Sequence, residues 1–172
     1  LLPFLVLLLS PRSEDPSAVP WSWGWDGLLC ITTGLACAGL SGFWFAEFQV
    51  GSGAYLVSDF HDYCATTYAL ATGNLEEVSH ARSMWATAPS AWASGRVGII
   101  DGLAISALLG TSAIGSGLYL WGRAAHGRLA GVSAALIAVA IPPLGTLSRT
   151  LSFYPIITGG LTLGTGMTAI AL

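Results

Sequence analysis

Long apolar stretches separated by short polar connections organise this chain. Crossing a hydrocarbon core of about 30 Å takes roughly 20 helical residues. Four stretches reach that length, at 27–48, 97–121, 129–147 and 153–172. The pattern predicts an all-α, polytopic membrane helix bundle with about four transmembrane helices. Residues 27–172 form its transmembrane domain, and 1–26 an N-terminal apolar stub and polar linker. The run 1–9 is too short to span by itself, and Pro11-Arg12-Ser13-Glu14-Asp15-Pro16 after it is a linker bounded by two helix breakers. Trp21, Trp23 and Trp25 crowd one end of the first stretch, and Phe43, Trp44 and Phe45 the other. From Trp25 to Trp44 a helix rises about 28 Å, which matches aromatic belts at two membrane interfaces.

Packing between such helices calls for small residues, because no hydrophobic effect drives helices together in lipid. The second stretch offers Gly110, Ser112, Ala113, Gly115, Ser116 and Gly117, and the fourth offers Gly160-x-x-x-Gly164. Pro142-Pro143 is expected to kink the end of the third.

Composition agrees with the pattern. Of 172 residues, 53% are apolar and 9% charged, where a soluble domain carries about 25% charged side chains. The basic residues are arginines only, and no basic stripe exists to neutralise phosphates, which excludes a nucleic-acid binder. Cys30, Cys37 and Cys64 have neither disulfide nor zinc spacing. The chain begins without Met and stops in the apolar run Ala169-Ile170-Ala171-Leu172, so it reads as part of a larger membrane protein.

Charge sets an orientation. The connection Gly122-Arg123-Ala124-Ala125-His126-Gly127-Arg128 has two arginines and no acid, which places it in the cytoplasm by the positive-inside bias. The segment 49–96 then lies on the extracytoplasmic side. It holds most of the polar chemistry. Ser58 or Asp59 suits an N-cap and Gly73 a C-terminal stop, which predicts a helix lying along the membrane surface. A second short helix is expected over 75–88, ending before Pro89. Asp59 can cap the first of these helices, or act at the lipid–water boundary as a base towards a hydroxyl or amine; the two roles are compatible.

Asp59-x-x-x-Tyr63 followed by an apolar helix ending at Gly73 resembles the first-loop signature of GT-C glycosyltransferases, the protein O-mannosyltransferase and aminoarabinose transferase (glycosyltransferase 39-like) relatives. In that group the motif follows the first transmembrane helix and two interfacial helices precede the second. Pro89-Ser90-Ala91-Trp92, the passage Leu118-Tyr119-Leu120-Trp121-Gly122-Arg123, then His126-Gly127-Arg128-Leu129-Ala130-Gly131, and Pro142-Pro143-Leu144 with Ser148-Arg149 and Tyr154-Pro155 continue the resemblance over about 27–172. Phe60 stands where relatives often carry Glu, so a second carboxylate falls to Asp62 or is absent. Relatives also have further spans and loops that bind the lipid-phosphate donor.

The resemblance implies an inverting transfer of a sugar from a polyprenyl-phosphate-linked donor to an acceptor on the extracytoplasmic side, by an enzyme of which this is the N-terminal portion. It implies an integral protein of the bacterial inner membrane, whose partners are the lipid bilayer, the lipid-linked donor, and further subunits or a missing C-terminal part. Asp59 is the expected catalytic base. Asp62 would orient an acceptor or help bind a divalent cation, the one cofactor contemplated; no metal-ligand set is assigned. Tyr63, Arg149 and His61 are the substrate-binding candidates. Arg149 can pair with phosphate or snorkel as an anchor, and His61 can join the site or face solvent. His80 with Arg82, and Glu76-Glu77, read as wetted surface. Asp101, one turn inside the second stretch, either borders an aqueous cavity or caps its helix.

Two rival readings stand beside the enzyme. One is a non-catalytic membrane subunit or scaffold whose polar loop binds a partner. The other is a transporter subunit, hinted at by Asp101 and the Pro142-Pro143 break.

Overall fold

The computed structural model describes residues 20–51, 60–74, 76, 84–140 and 154–171. All described elements are helical. They are α1 (Trp23–Gly51), α2 (Phe60–Thr72), α3 (Met84–Val97), α4 (Ile99–His126), α5 (Arg128–Ala140) and α6 (Tyr154–Ala171). Among the described residues one helix, α4, is long and apolar enough to cross a membrane; α5 is apolar but shorter.

Helix α4 is the hub, with α1, α3, α5 and α6 all packed on it. Its composition explains why. Gly102, Ser106, Gly110, Thr111, Gly115, Gly117 and Gly122 are buried along its 28 residues, so neighbouring backbones approach on several sides. Gly110 lies against the Pro155 carbonyl, and a Cβ on Gly117 would come 2.5 Å from the carbonyl carbon of Thr162. Contacts therefore run Gly110 to Pro155 and Gly117 to Thr162, which makes α4 and α6 parallel. Helix α1 meets α4 in the opposite sense, through Ser116 Oγ donating to the Cys30 carbonyl (3.0 Å) and through Gly34 against Ser112 and Ser116.

The small-residue surface expected on the second stretch is thus the packing surface. In the fourth stretch the register differs. Gly159 and Gly166 face α4, whereas Gly160 and Gly164 are exposed. Gly159 and Gly166 lie seven apart, two helical turns, and so keep one face towards α4. A Gly-x-x-x-Gly pattern alone does not say which face is used.

Two glycines fold the chain back on itself. Gly98 (φ 95°) ends α3 and opens α4, and Gly127 (φ 92°) joins α4 to α5. A side chain at either would strain the left-handed backbone. Gly127 N–H closes the last turn of α4 on the Arg123 carbonyl at 3.1 Å.

Helix α2 occupies the predicted place, and Gly73 (φ 76°) follows its last residue. Ser58 and Asp59, the cap candidates, lie outside the described residues. The next helix departs from expectation, because Pro89 falls inside α3 instead of ending a helix. Proline removes one backbone hydrogen bond. The turns around it are held by burial: Ala86, Thr87, Ser90, Ala91 and Ala93 are all buried, and Ser90 Oγ bonds the Thr87 carbonyl at 2.7 Å. Tertiary packing outweighs the local penalty. The Pro142-Pro143 kink lies outside the described residues.

Exposed Leu28, Ile31, Leu35 and Leu40 on α1, Leu109 on α4, Leu129 and Ile137 on α5, and Leu161 and Met167 on α6 form the outer surface of the bundle. Replacing Gly117 by Val should destabilise the fold by about 1–3 kcal/mol through overpacking against α6. Gly39→Ala, where an added Cβ meets nothing within 4 Å, should be neutral or stabilising by up to about 1 kcal/mol. Thermal unfolding of the two variants in neutral detergent checks the contrast, and equal melting temperatures would contradict the close α4–α6 contact.

Candidate functional site

Two polar regions sit at opposite ends of α4. The first is built around Asp26, whose side chain is 0% exposed. Ser22 precedes α1, and its backbone N–H donates to Asp26 Oδ2 at 2.7 Å while its hydroxyl accepts from the Trp25 N–H at 3.5 Å. This reciprocal arrangement caps the helix and aims the carboxylate at α4. There Tyr119 O–H (2.9 Å) and Arg123 Nε (3.0 Å) donate to Oδ1, as does Arg128 Nε (2.8 Å) from the start of α5. Arg128 Nη2 adds a bond to Oδ2 at 3.1 Å, which makes the Arg128 pairing bidentate. The Arg123 guanidinium also lies 5.8 Å over the Trp21 ring.

Asp26 stands immediately before the apolar stretch of α1. The Arg128 guanidinium first, then the Ser22 amide, Arg123 and Tyr119, hold its carboxyl well below the usual carboxylate range, against the opposing effect of burial. The cluster is two cations on one anion, satisfied by hydrogen bonds from α4, α5 and the Ser22 amide ahead of α1. Its geometry locks α1 to the α4–α5 hairpin and leaves the carboxylate no room to take a proton from a substrate.

The second region lies at the N-terminal end of α4, where α2 and α3 pack. Tyr63 is buried with Ala86 and Leu103, flanked by Cys64, Ile99, Ile156 and Ile157. Thr67 and Ser90 hydroxyls meet at 3.1 Å between α2 and α3. Beside this core an open cleft of about 440 Å³ is lined by Cys64, Val97, Gly98, Ile99, Ile100 and Asp101. Burial pushes the Cys64 thiol up, which makes it a poor nucleophile at neutral pH.

The expected site residues fall as follows. Asp59 and Arg149 lie outside the described residues. His61 belongs to the first turn of α2, directly before Asp62, which is exposed. Tyr63 points the other way, into the core as a wedge between helices. Asp101 is exposed and borders the cleft. Among the described residues no three His, Cys, Asp or Glu side chains gather as a cation site.

The sequence reading passed over Asp26 altogether. A signal for it was present. A chain that turns back after each apolar stretch brings the start of the first, the end of the second and the start of the third to one side, and those positions hold Asp26, Arg123 and Arg128.

Removing one partner of a buried ion pair typically costs about 3–5 kcal/mol, and Asp26→Asn is expected to lose stability of that order. The pH dependence has a definite sign. The folded carboxyl titrates below its unfolded value of about 3.9, so its contribution is whole above that pH and is lost as pH falls through the folded value. Unfolding followed from pH 7 down to pH 2 should show a steeper acid loss in the native chain than in Asp26→Asn. Parallel curves would show that solvent screens the cluster.

No family model, curated protein or solved structure matches the chain.

Proposed function

We propose that the chain is the N-terminal part of a multi-pass membrane transferase that moves a sugar from a polyprenyl-phosphate-linked donor to an acceptor on the extracytoplasmic side. Within this reading the stretches 27–48, 97–121, 129–147 and 153–172 cross the bilayer, with Asp26 at the membrane boundary, while α2 and α3 lie at its outer rim. The exposed leucines and isoleucines along the bundle support it, since a large continuous apolar surface is uncommon on a soluble monomer. So does the end-to-end separation of the Arg123–Arg128 turn from the α2–α3 pair, which fits a basic cytoplasmic face opposite the polar segment.

The observation that carries the proposal is the helix pair itself. Helix α2 starts one residue after Asp59, and it packs with α3 on the end of α4 next to an open cleft. Inverting transfer needs a base on one side of the anomeric carbon while phosphate departs from the other. In this mechanism Asp59 takes the proton of the acceptor as its oxygen or nitrogen attacks, and the lipid phosphate leaves with the electron pair of the broken C–O bond. Asp62, exposed on the first turn of α2, orients the acceptor, and Arg149 offers a guanidinium to the departing phosphate.

A non-catalytic membrane subunit is the second reading. Its specific support is the exposure of Tyr68 on α2 and Trp92 on α3 at the same end, aromatic groups of the type that anchor protein partners.

Asp59→Asn in the complete protein separates the two. Loss of a general base lowers the rate by about 10²–10⁴-fold, read as sugar transfer from a polyprenyl-phosphate donor in membranes. Transfer at the native rate removes Asp59 as the base. A complete protein with no transfer at all, yet pulled down with a partner through Tyr68 and Trp92, supports the subunit reading.

A further inference from the structure

The cleft beside α2 has a definite chemical character. Val97, Ile99, Ile100 and the Cys64 thiol give it apolar walls, and Asp101 is the one charged group among its described lining residues. Two other charges need to be weighed. The N-terminus of α4 contributes about half a positive charge, and no side chain caps it; the full charge of Asp101, in the first turn of that helix, outweighs it. Arg96, two residues before Gly98, is drawn back along α3. Its guanidinium lies 4.3 Å over the Trp92 ring and its Nη1 donates to the Trp92 carbonyl at 2.9 Å. Among the described lining residues the charge facing the cleft is therefore negative.

We propose that this cleft binds an amphiphile with an ammonium head, the head hydrogen-bonded to the Asp101 carboxylate and the apolar tail laid along Val97, Ile99 and Ile100. An anionic head is disfavoured there by the same carboxylate. The assignment deepens the transferase reading and rests on it for its meaning. A phosphate-linked donor must find its site elsewhere, and the cleft takes an amine-bearing acceptor: its ammonium head first gives one proton to solvent, the free amine then attacks the anomeric carbon as the C–O bond to the lipid phosphate breaks, and Asp59 takes the second proton.

Cys64 supplies the probe, because an occupant of the cleft shields its thiol from alkylation. The complete protein in uncharged detergent is treated with an uncharged maleimide at about pH 9, where more of the raised Cys64 thiol is ionised and an alkylammonium head stays protonated, and modification of Cys64 is followed by peptide mass mapping. Octylammonium, octanol and octyl sulfate are compared at equal concentration. Octylammonium is expected to protect Cys64 at a concentration about tenfold lower than octyl sulfate, the ratio that one near-surface ion pair supplies, with octanol between them. Asp101→Asn should collapse the ratio to near unity and Asp101→Glu should retain it. Because Asp101 is exposed, both variants are expected to fold, and circular dichroism checks this. If either variant misfolds, the ranking of the three amphiphiles on the native chain decides alone.

Equal protection by all three, strongest protection by the sulfate, or an ammonium preference that survives in Asp101→Asn overturns the proposal. The assay needs no turnover. A failed ammonium preference therefore leaves the Asp59 transfer assay standing, and loss of the Asp59 role leaves the protection pattern untouched.

Discussion

A single carboxylate ties the described fold together. Asp26 lies 93 residues from Tyr119, 97 from Arg123 and 102 from Arg128 along the chain, yet it accepts hydrogen bonds from all three. Burying one anion between two guanidiniums is favourable only where every donor is well aimed. The requirement fixes several things at once: where α1 begins, how far α4 extends before Gly127, and how sharply α5 turns back. The Ser22 cap directs the carboxylate, and the positive φ of Gly127 lets Arg123 and Arg128 converge on it from two different helices.

Above this clamp the helices are held by shape. Helix α4 offers backbone-deep contact to α1 through Gly115, to α6 through Gly110 and Gly117, and to α5 through Gly122. Such contacts gain dispersion energy from many atom pairs, each small, and they fix rotation about the helix axis more narrowly than long flexible side chains would. The clamp sets the axial register of α1 and the glycines set the facing. Cys37 shows the two acting together. It is fully buried, lies against Gly115, and directs its Sγ towards the Ala135 carbonyl of α5 at 3.7 Å. The buried carboxylate fixes its height, and the missing side chain on α4 makes room for it.

Much of this was legible in the chain, and the gaps have physical causes. Helix α2 was readable because its stop is a local matter, Gly73 at the C-terminal position. The small-residue face of α4 was readable because glycine and serine recur there at helical spacing. Pro89 misled, since its cost is local whereas its compensation comes from α2 and α4, which pack around Ala86, Ser90 and Ala93. Gly160 and Gly164 misled for a related reason: a motif defines a stripe on a helix, and only the neighbour decides which stripe is buried. Asp26 escaped notice because in sequence it is one acid among tryptophans. Its meaning lies in pairing with groups about a hundred residues on, and that follows only once the stretches are folded back against one another.

The two ends of α4 use charge in opposite ways. At the Gly127 end Arg123, Arg128 and Asp26 are drawn together, with Asp26 wholly sealed and the Arg128 side chain 31% exposed. Charges so thoroughly paired hold structure and have little left for a passing ligand. At the Gly98 end Asp101 stays exposed, and Arg96, two residues before Gly98, is engaged by a tryptophan ring. Charge left unneutralised beside an apolar wall keeps its reach, because low-dielectric surroundings screen it less than open water does. With Arg96 stacked on Trp92, Asp101 retains a negative potential at the mouth of the cleft. That retained potential, more than any one residue's identity, distinguishes this end of the bundle from the sealed clamp at the other.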